Sequence, residues 1–304
     1  ITRAERAVRL MVSNGVTAIR THADVTEWNS LDSIEALTEV RNRTRDIVEM
    51  QIVALLGWPL SGDLGQANLT LGKKAIKLGA DILGGCPHLD SDPVGSNIAL
   101  LQLATELGCP LDLHTDEHTD EKRISLEDLA DRVIATRFKY PVTASHCVSL
   151  GMQNQNDQKR ISEKVALANI GVIALPHTNL FLQGRDNAVA PPRGLTAVKA
   201  LRTAGVRVAA GADNLQDPFN PVGTGDPLET ASLLVLAAHQ LPEDAFAAIS
   251  NTAKSVMGLS ETQLKIGDLA NLMLTPAGSI REAIANRTSR QMVMSLGRLS
   301  HFSN

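Results

Sequence analysis

The residues of this chain that could do chemistry come in short groups. Thr21-His22-Ala23-Asp24, Pro87-His88, His114-Thr115-Asp116-Glu117, Ser145-His146, His177-Thr178-Asn179 and Asp213-Asn214 each follow an apolar run, and six of the eight histidines fall in or just beyond these groups. Imidazoles and carboxylates that converge on one point suit a borderline cation such as zinc or iron, with an open position left for water. Water bound to such a cation ionises near neutral pH and becomes a nucleophile. His114, His146 and Asp213 are the candidates for that inner cluster. Glu117, three residues beyond His114, is placed to relay a proton from the water to a ring nitrogen or a departing amine. Asp213 closes the apolar run Val208-Ala209-Ala210-Gly211-Ala212, where an acid without a partner would be costly.

Positioning these groups falls to seven apolar, β-branched-rich runs at 17–20, 51–56, 81–85, 111–114, 142–145, 172–175 and 207–210. Stretches of helical period lie between them near 31–49, 68–78, 94–107, 124–136, 159–169 and 194–204, and two more, 227–239 and 243–256, follow the last run. The alternation predicts parallel βαβ units. Chemistry confined to strand ends predicts an α/β fold of the (β/α)8 TIM-like barrel type, whose active sites occupy that face. Seven strands can be counted, and an open sheet would leave two apolar edges, so the closing first strand is expected upstream of Ile1. The barrel, from its second to its eighth strand, is expected over 1–260. Residues 261–304, with strands at 269–275 and 291–299 joined by a polar linker, are expected to form part of a small C-terminal β-sandwich appendage.

Composition narrows the partners. A chain of 304 residues, 43% hydrophobic, suits one large domain with a small addition. The net charge of −4 comes from interspersed acids and bases, with no basic stripe to neutralise phosphates, so no nucleic-acid partner is expected. The most apolar stretch, around 233–238, falls far short of the roughly 20 residues of a membrane-spanning helix, so no membrane partner is expected either. The three cysteines, Cys86, Cys109 and Cys147, are odd in number and lack CxxC spacing, which argues against both a disulfide framework and a thiolate zinc site. A soluble, cytoplasmic protein is expected, with a homo-oligomer left open.

Several runs carry a family resemblance. Gly15-Val16-Thr17-Ala18-Ile19-Arg20-Thr21-His22-Ala23-Asp24, Leu113-His114-Thr115-Asp116-Glu117, Val142-Thr143-Ala144-Ser145-His146, Asn179-Leu180-Phe181-Leu182-Gln183-Gly184-Arg185, Pro192-Arg193-Gly194 and Asp213-Asn214-Leu215-Gln216-Asp217-Pro218-Phe219 resemble cytosine deaminase and its relatives in the amidohydrolase superfamily. The similarity continues in order to Gly267-Asp268-Leu269-Ala270-Asn271-Leu272 and so covers essentially the whole chain. It implies a metal-dependent aminohydrolase in which His114 and Asp213 are metal ligands. His146 is then a third ligand or holds the activated water, Glu117 is the proton shuttle, and Asp213 also takes a proton from that water. It further implies a His-x-His pair on the first barrel strand. No His-x-His occurs in this chain, in keeping with the strand counted as missing. The lysine that bridges two metals in the dinuclear branch has no counterpart in 81–86, so one divalent ion, zinc or iron, is expected.

The same comparison places the differences at the ring-reading positions. Cytosine deaminase reads its pyrimidine with a glutamine after the run that matches Gln51-Ile52-Val53-Ala54, where this chain has Leu55-Leu56-Gly57-Trp58-Pro59; Ala212 and Asn214 replace a histidine and an acid. Changing the donors and acceptors on a ring edge changes which ring fits. Gly57, Trp58, His88, His177, Gln183, Asn214 and Phe219 are the candidates for contacting the substrate, and Arg185 either binds it or fixes its own loop. The expected function is hydrolytic deamination of a small nitrogen heterocycle other than cytosine. The alternatives are a cyclic-amide hydrolase and a barrel that binds a heterocycle without turning it over.

Overall fold

In a computed structural model, which describes residues 1–303, the apolar runs form seven strands: β1 (Ala18–Val25), β2 (Glu49–Leu56), β3 (Ile82–Gly85), β4 (Leu111–Thr115), β5 (Val142–His146), β6 (Gly171–Ala174) and β7 (Val208–Ala210). They pair in parallel in chain order, from Ala18 opposite Glu49 to Ala174 opposite Ala210. The helices are α1 (Thr2–Ser13), α2 (Asp32–Thr44), α3 (Gln66–Leu78), α4 (Pro93–Leu107), α5 (Leu126–Thr136), α6 (Val148–Gly151), α7 (Gln155–Leu167), α8 (Pro176–Leu182), α9 (Val198–Thr203), α10 (Pro227–Ala238), α11 (Pro242–Ala248), α12 (Asn251–Met257) and α13 (Ile280–Asn286). The sheet is an open barrel. β1 and β7 are its edges, yet Arg20 and His22 of the first and Ala209 and Ala210 of the last line one cavity.

Strand periodicity decides which side chains reach the interior. Leu111 and Leu113 of β4 are buried in the core under the helices, so Asp112 and His114 point the other way. On β1, Ala23 and Val25 join that core, which turns Arg20, His22 and Asp24 inward. On β5, Val142 and Ala144 pack outward, while Thr143 and Ser145 reach the inner polar groups.

Three segments differ from the periodicity reading. The first strand, expected to end at Arg20, runs on through Thr21-His22-Ala23-Asp24 to Val25, because the alternation of inward polar and outward apolar side chains continues. The helical stretch expected at 243–256 breaks at Ile249 and Ser250 into α11 and α12, because Ser250 leaves helical backbone (φ −130°, ψ −106°). The polar linker expected between two C-terminal strands contains α13, and there are three antiparallel strands: β8 (Leu272–Leu274), β9 (Met292–Ser295) and β10 (Arg298–Phe302). Ser279 caps α13 by accepting the Glu282 N–H, and the Glu282 carboxylate accepts the Gly278 N–H close by. The helix then buries Ala283 and Ile284 in the main core. Arg290, 6% exposed, fastens this region to the barrel by donating to Asp226, to the Asn14 carbonyl at 3.0 Å and to the Thr288 carbonyl at 2.9 Å. Among the described residues, no helix is long and apolar enough to cross a membrane.

Candidate active site

The site is built where β4, β5 and β7 end. In the parallel register Thr115 lies opposite His146, so His114 and His146 emerge side by side, their ring centroids 4.8 Å apart. His146 (φ +66°) and Asp213 (φ +61°) both hold left-handed backbone. Such geometry costs on the order of 1–3 kcal/mol for a side-chain-bearing residue and persists where the surroundings over-determine it, typically at functional sites. One ligand atom each from His114, His146 and Asp213 lies within 4.8 Å of the others.

Burial sets the charges. It lowers both imidazoles, His114 well below its ordinary value and His146 to about 3, with the neighbouring histidines adding to the effect, so both rings are neutral at pH 7. Burial, with the Asp213 charge beside it, pushes Glu117 up to about 8. Its carboxylate lies 3.4 Å from His146 Nδ1, and its carbonyl accepts from Gln183 Nε2 at 3.2 Å. Beneath this layer, Asp112 is fully buried and accepts from Arg20 Nη1 (2.9 Å) and Ser145 Oγ (3.2 Å), with His22 Nε2 3.3 Å away. Burial alone would raise Asp112, but His22 and Arg20 outweigh it and hold the carboxyl well below the usual range.

The residues expected to contact substrate have varied settings. Asn214 lines the cavity of about 440 Å3 together with His22, Asp24, His114 and Asp213, but its amide donates to Asp217 at 2.6 Å. His88 is buried with Nδ1 2.9 Å from the His114 carbonyl, where it braces β4. His177 pairs with Glu229 of α10 at 3.5 Å. Gly57 donates its N–H to the Val25 carbonyl, and a Cβ there would press on Thr26 at 3.2 Å. Trp58 and Phe219 are about half exposed, and the Phe219 N–H donates to Asp217. Arg185 donates to the Phe181 carbonyl and lies over that ring at 4.0 Å, which fixes its own loop.

Asn179, Asp112, Arg20 and His22 have no assigned role in the sequence reading. Asn179 is buried with its carboxamide 3.0 Å from His146 Nδ1, a pairing across 33 residues that no local pattern announces. The sequence hint was the strand periodicity, which puts Arg20, His22, Asp112 and His114 on the inner face.

These strand ends, where two imidazoles and a carboxylate converge, lie within the stretch a family model matches: the sequence model of the Amidohydrolase family covers residues 2–296. The chain belongs to the amidohydrolase family. This amidohydrolase is 31% identical over 301 residues to the pterin deaminase of Rhizobium rhizogenes, spanning 98% of this chain and 68% of that protein. It is 24% identical to N-isopropylammelide isopropyl amidohydrolase of Pseudomonas sp., over 95% of this chain and 70% of the other. Its fold matches 5-methylcytosine deaminase from Klebsiella pneumoniae, solved with 5-fluorocytosine, at a TM-score of 0.88 and 27% identity, covering 100% of this chain and 75% of that one. The architecture of the amidohydrolase is thus of the (β/α)8-barrel type, with seven parallel strands among the described residues and a small antiparallel sheet at its C-terminal end.

The donor set of this amidohydrolase fits a divalent cation. His146 Nε2 is buried without a hydrogen-bond partner and lies 3.9 Å from Asp213 Oδ2. A proton on Nδ1 can be held by Glu117, or by the Asn179 carboxamide oxygen once the amide is turned, and either arrangement leaves the Nε2 lone pair bare.

Proposed function

We propose that the protein is a metal-dependent hydrolytic deaminase that prefers a bicyclic aminated ring of the pterin class. Hydrolysis of C–N bonds other than peptide bonds follows from its family and its deaminase relatives. The pterin-class preference is supported by the 31% identity to a pterin deaminase. The observation that carries the reading is the convergence of His114, His146 and Asp213 within 4.8 Å, with a bare, buried Nε2 on His146.

In this reading His114, Asp213 and His146 hold one zinc or iron ion. When bound, the ion supplies a Lewis acid that brings the pKa of a coordinated water towards neutrality. Asp213 accepts the proton released from water. Glu117, poised near pH 8, carries a proton at neutral pH and can give it up. It delivers that proton to the ring nitrogen beside the reacting carbon, then takes up the hydroxyl proton of the tetrahedral centre and passes it to the departing amine, and the proton held by Asp213 returns Glu117 to its protonated form. Gln183 fixes the Glu117 backbone, and His146 Nδ1 holds its carboxylate. The water oxygen replaces the amine on the ring carbon, and ammonia leaves. A cytoplasmic location belongs to the same proposal, supported by three unpaired, buried cysteines.

The test is ammonia release from pterin, cytosine and aminated triazines, with the products identified. Ring opening without ammonia would mark a cyclic-amide hydrolase and overturn the reading. A kcat/KM for cytosine of about 10⁴ M⁻¹s⁻¹ or more, above every other ring, would overturn the ring preference.

A further inference from the structure

The inward face of β1 carries three polar side chains in alternation, Arg20, His22 and Asp24, all lining the cavity that holds His114 and Asp213. The lowest is fully engaged: Arg20 donates to Asp112, Gln51 and Thr143. The middle one is oriented from below, since His22 Nε2 faces the Asp112 carboxylate at 3.3 Å and its ring meets His114 edge-on at 4.8 Å. A carboxylate only accepts, so in the neutral imidazole the proton sits on Nε2 and Nδ1 remains an acceptor. The uppermost, Asp24, makes no hydrogen bond or ion pair with any described residue and is exposed at the cavity. Asn214, the sequence candidate for this task, already spends its amide on Asp217 and accepts from Thr178.

We propose that Asp24 and His22 read the substrate as a pair of acceptors, so that the ring taken by this site presents N–H donors along one edge, as an amino-substituted lactam does. The proposal rests on the deaminase reading and adds the recognition rule. Acceptors that meet matching donors discriminate strongly, because a ring without those donors leaves the carboxylate desolvated and unpaired. Among the described residues Asp24 holds no hydrogen bond or ion pair, so its removal should act on recognition rather than on the packing of the barrel.

The experiment compares the wild type with Asp24→Ala and Asp24→Asn on two probes, pterin and pterin methylated on its ring N3, which lacks one donor. A hydrogen bond to a charged group corresponds to a factor of about 10 to 150. In the wild type, N3-methylation should lower kcat/KM by that factor; in Asp24→Ala, pterin itself should fall by as much, and methylation should then change little. Asp24→Asn keeps the size of the side chain and one neutral acceptor, so its pterin loss and its methylation penalty should both be smaller than those expected for Asp24→Ala and the wild type respectively, which separates recognition from misfolding. An equal methylation penalty in wild type and both variants overturns the proposal. If the wild type releases no ammonia from either ring, the deaminase reading fails, and calorimetric binding of pterin decides this inference separately. Affinity lost in Asp24→Ala upholds it, and unchanged affinity overturns it.

Discussion

Burial of Glu117, with the charge of Asp213 beside it, raises its carboxyl and suits it to carry a proton. Glu117→Gln keeps the shape of the side chain but cannot relay a proton. Ammonia release should fall by roughly 10²–10⁴-fold with metal content unchanged; a loss under about tenfold would remove Glu117 from its role. Asn179→Ala takes away one of the two groups that hold His146 Nδ1. Partners that orient a ligand histidine are worth about 10–100-fold in metal affinity, so competition with a chelator should show a loss of that size, with the unfolding midpoint little changed. At this scale the sequence was readable where chemistry coincided with a strand end: His114, His146, Glu117 and Asp213 lie in one cluster. It was unreadable where a partner came from another strand. Asp112 contacts Arg20 across 92 residues, and a buried aspartate in Leu111-Asp112-Leu113 looks locally like any interruption of an apolar strand.

Loops after β2 and β3 are joined by one side chain. Asp90, 4% exposed, accepts from the Leu60 N–H at 2.7 Å, the Ser61 N–H at 3.1 Å, Ser61 Oγ at 2.9 Å and Ser96 Oγ at 2.5 Å. Burial would raise its carboxyl, but these donors and the Asp92 N–H outweigh it and hold the group well below the carboxylate range. A depressed folded-state pKa stabilises fully above the unfolded value near 4 and is lost as pH falls further. Asp90→Asn should therefore lower the unfolding free energy by about 1.5–3 kcal/mol at pH 7. The gap from wild type should narrow below about pH 4 in urea titrations; a gap that widens on acidification would contradict the assignment. Elements were legible when amphipathic with clear ends, as with α3 and α5. α13 was missed although Ser279 and Glu282 have the spacing of a capping box, because the polar residues around it outweighed two buried ones, Ala283 and Ile284.

Across the whole molecule, the first and last parts of the chain meet at Arg290, whose guanidinium is buried against Asp226 and the Asn14 carbonyl. Removing one partner of a buried ion pair strands the other, so Arg290→Leu should destabilise the fold by about 3–5 kcal/mol in denaturant titrations. A change below about 1 kcal/mol would show that the clamp is dispensable, since that is the ordinary worth of an exposed pair. Seven parallel strands in chain order were foreseeable because each βα unit repeats the same alternation; the clamp was not, because its partners stand 64 and 276 residues away. Because the strands pair in chain order, each finds its partner one βα unit away along the chain, so every parallel register forms by closing one short loop and the sheet can grow strand by strand.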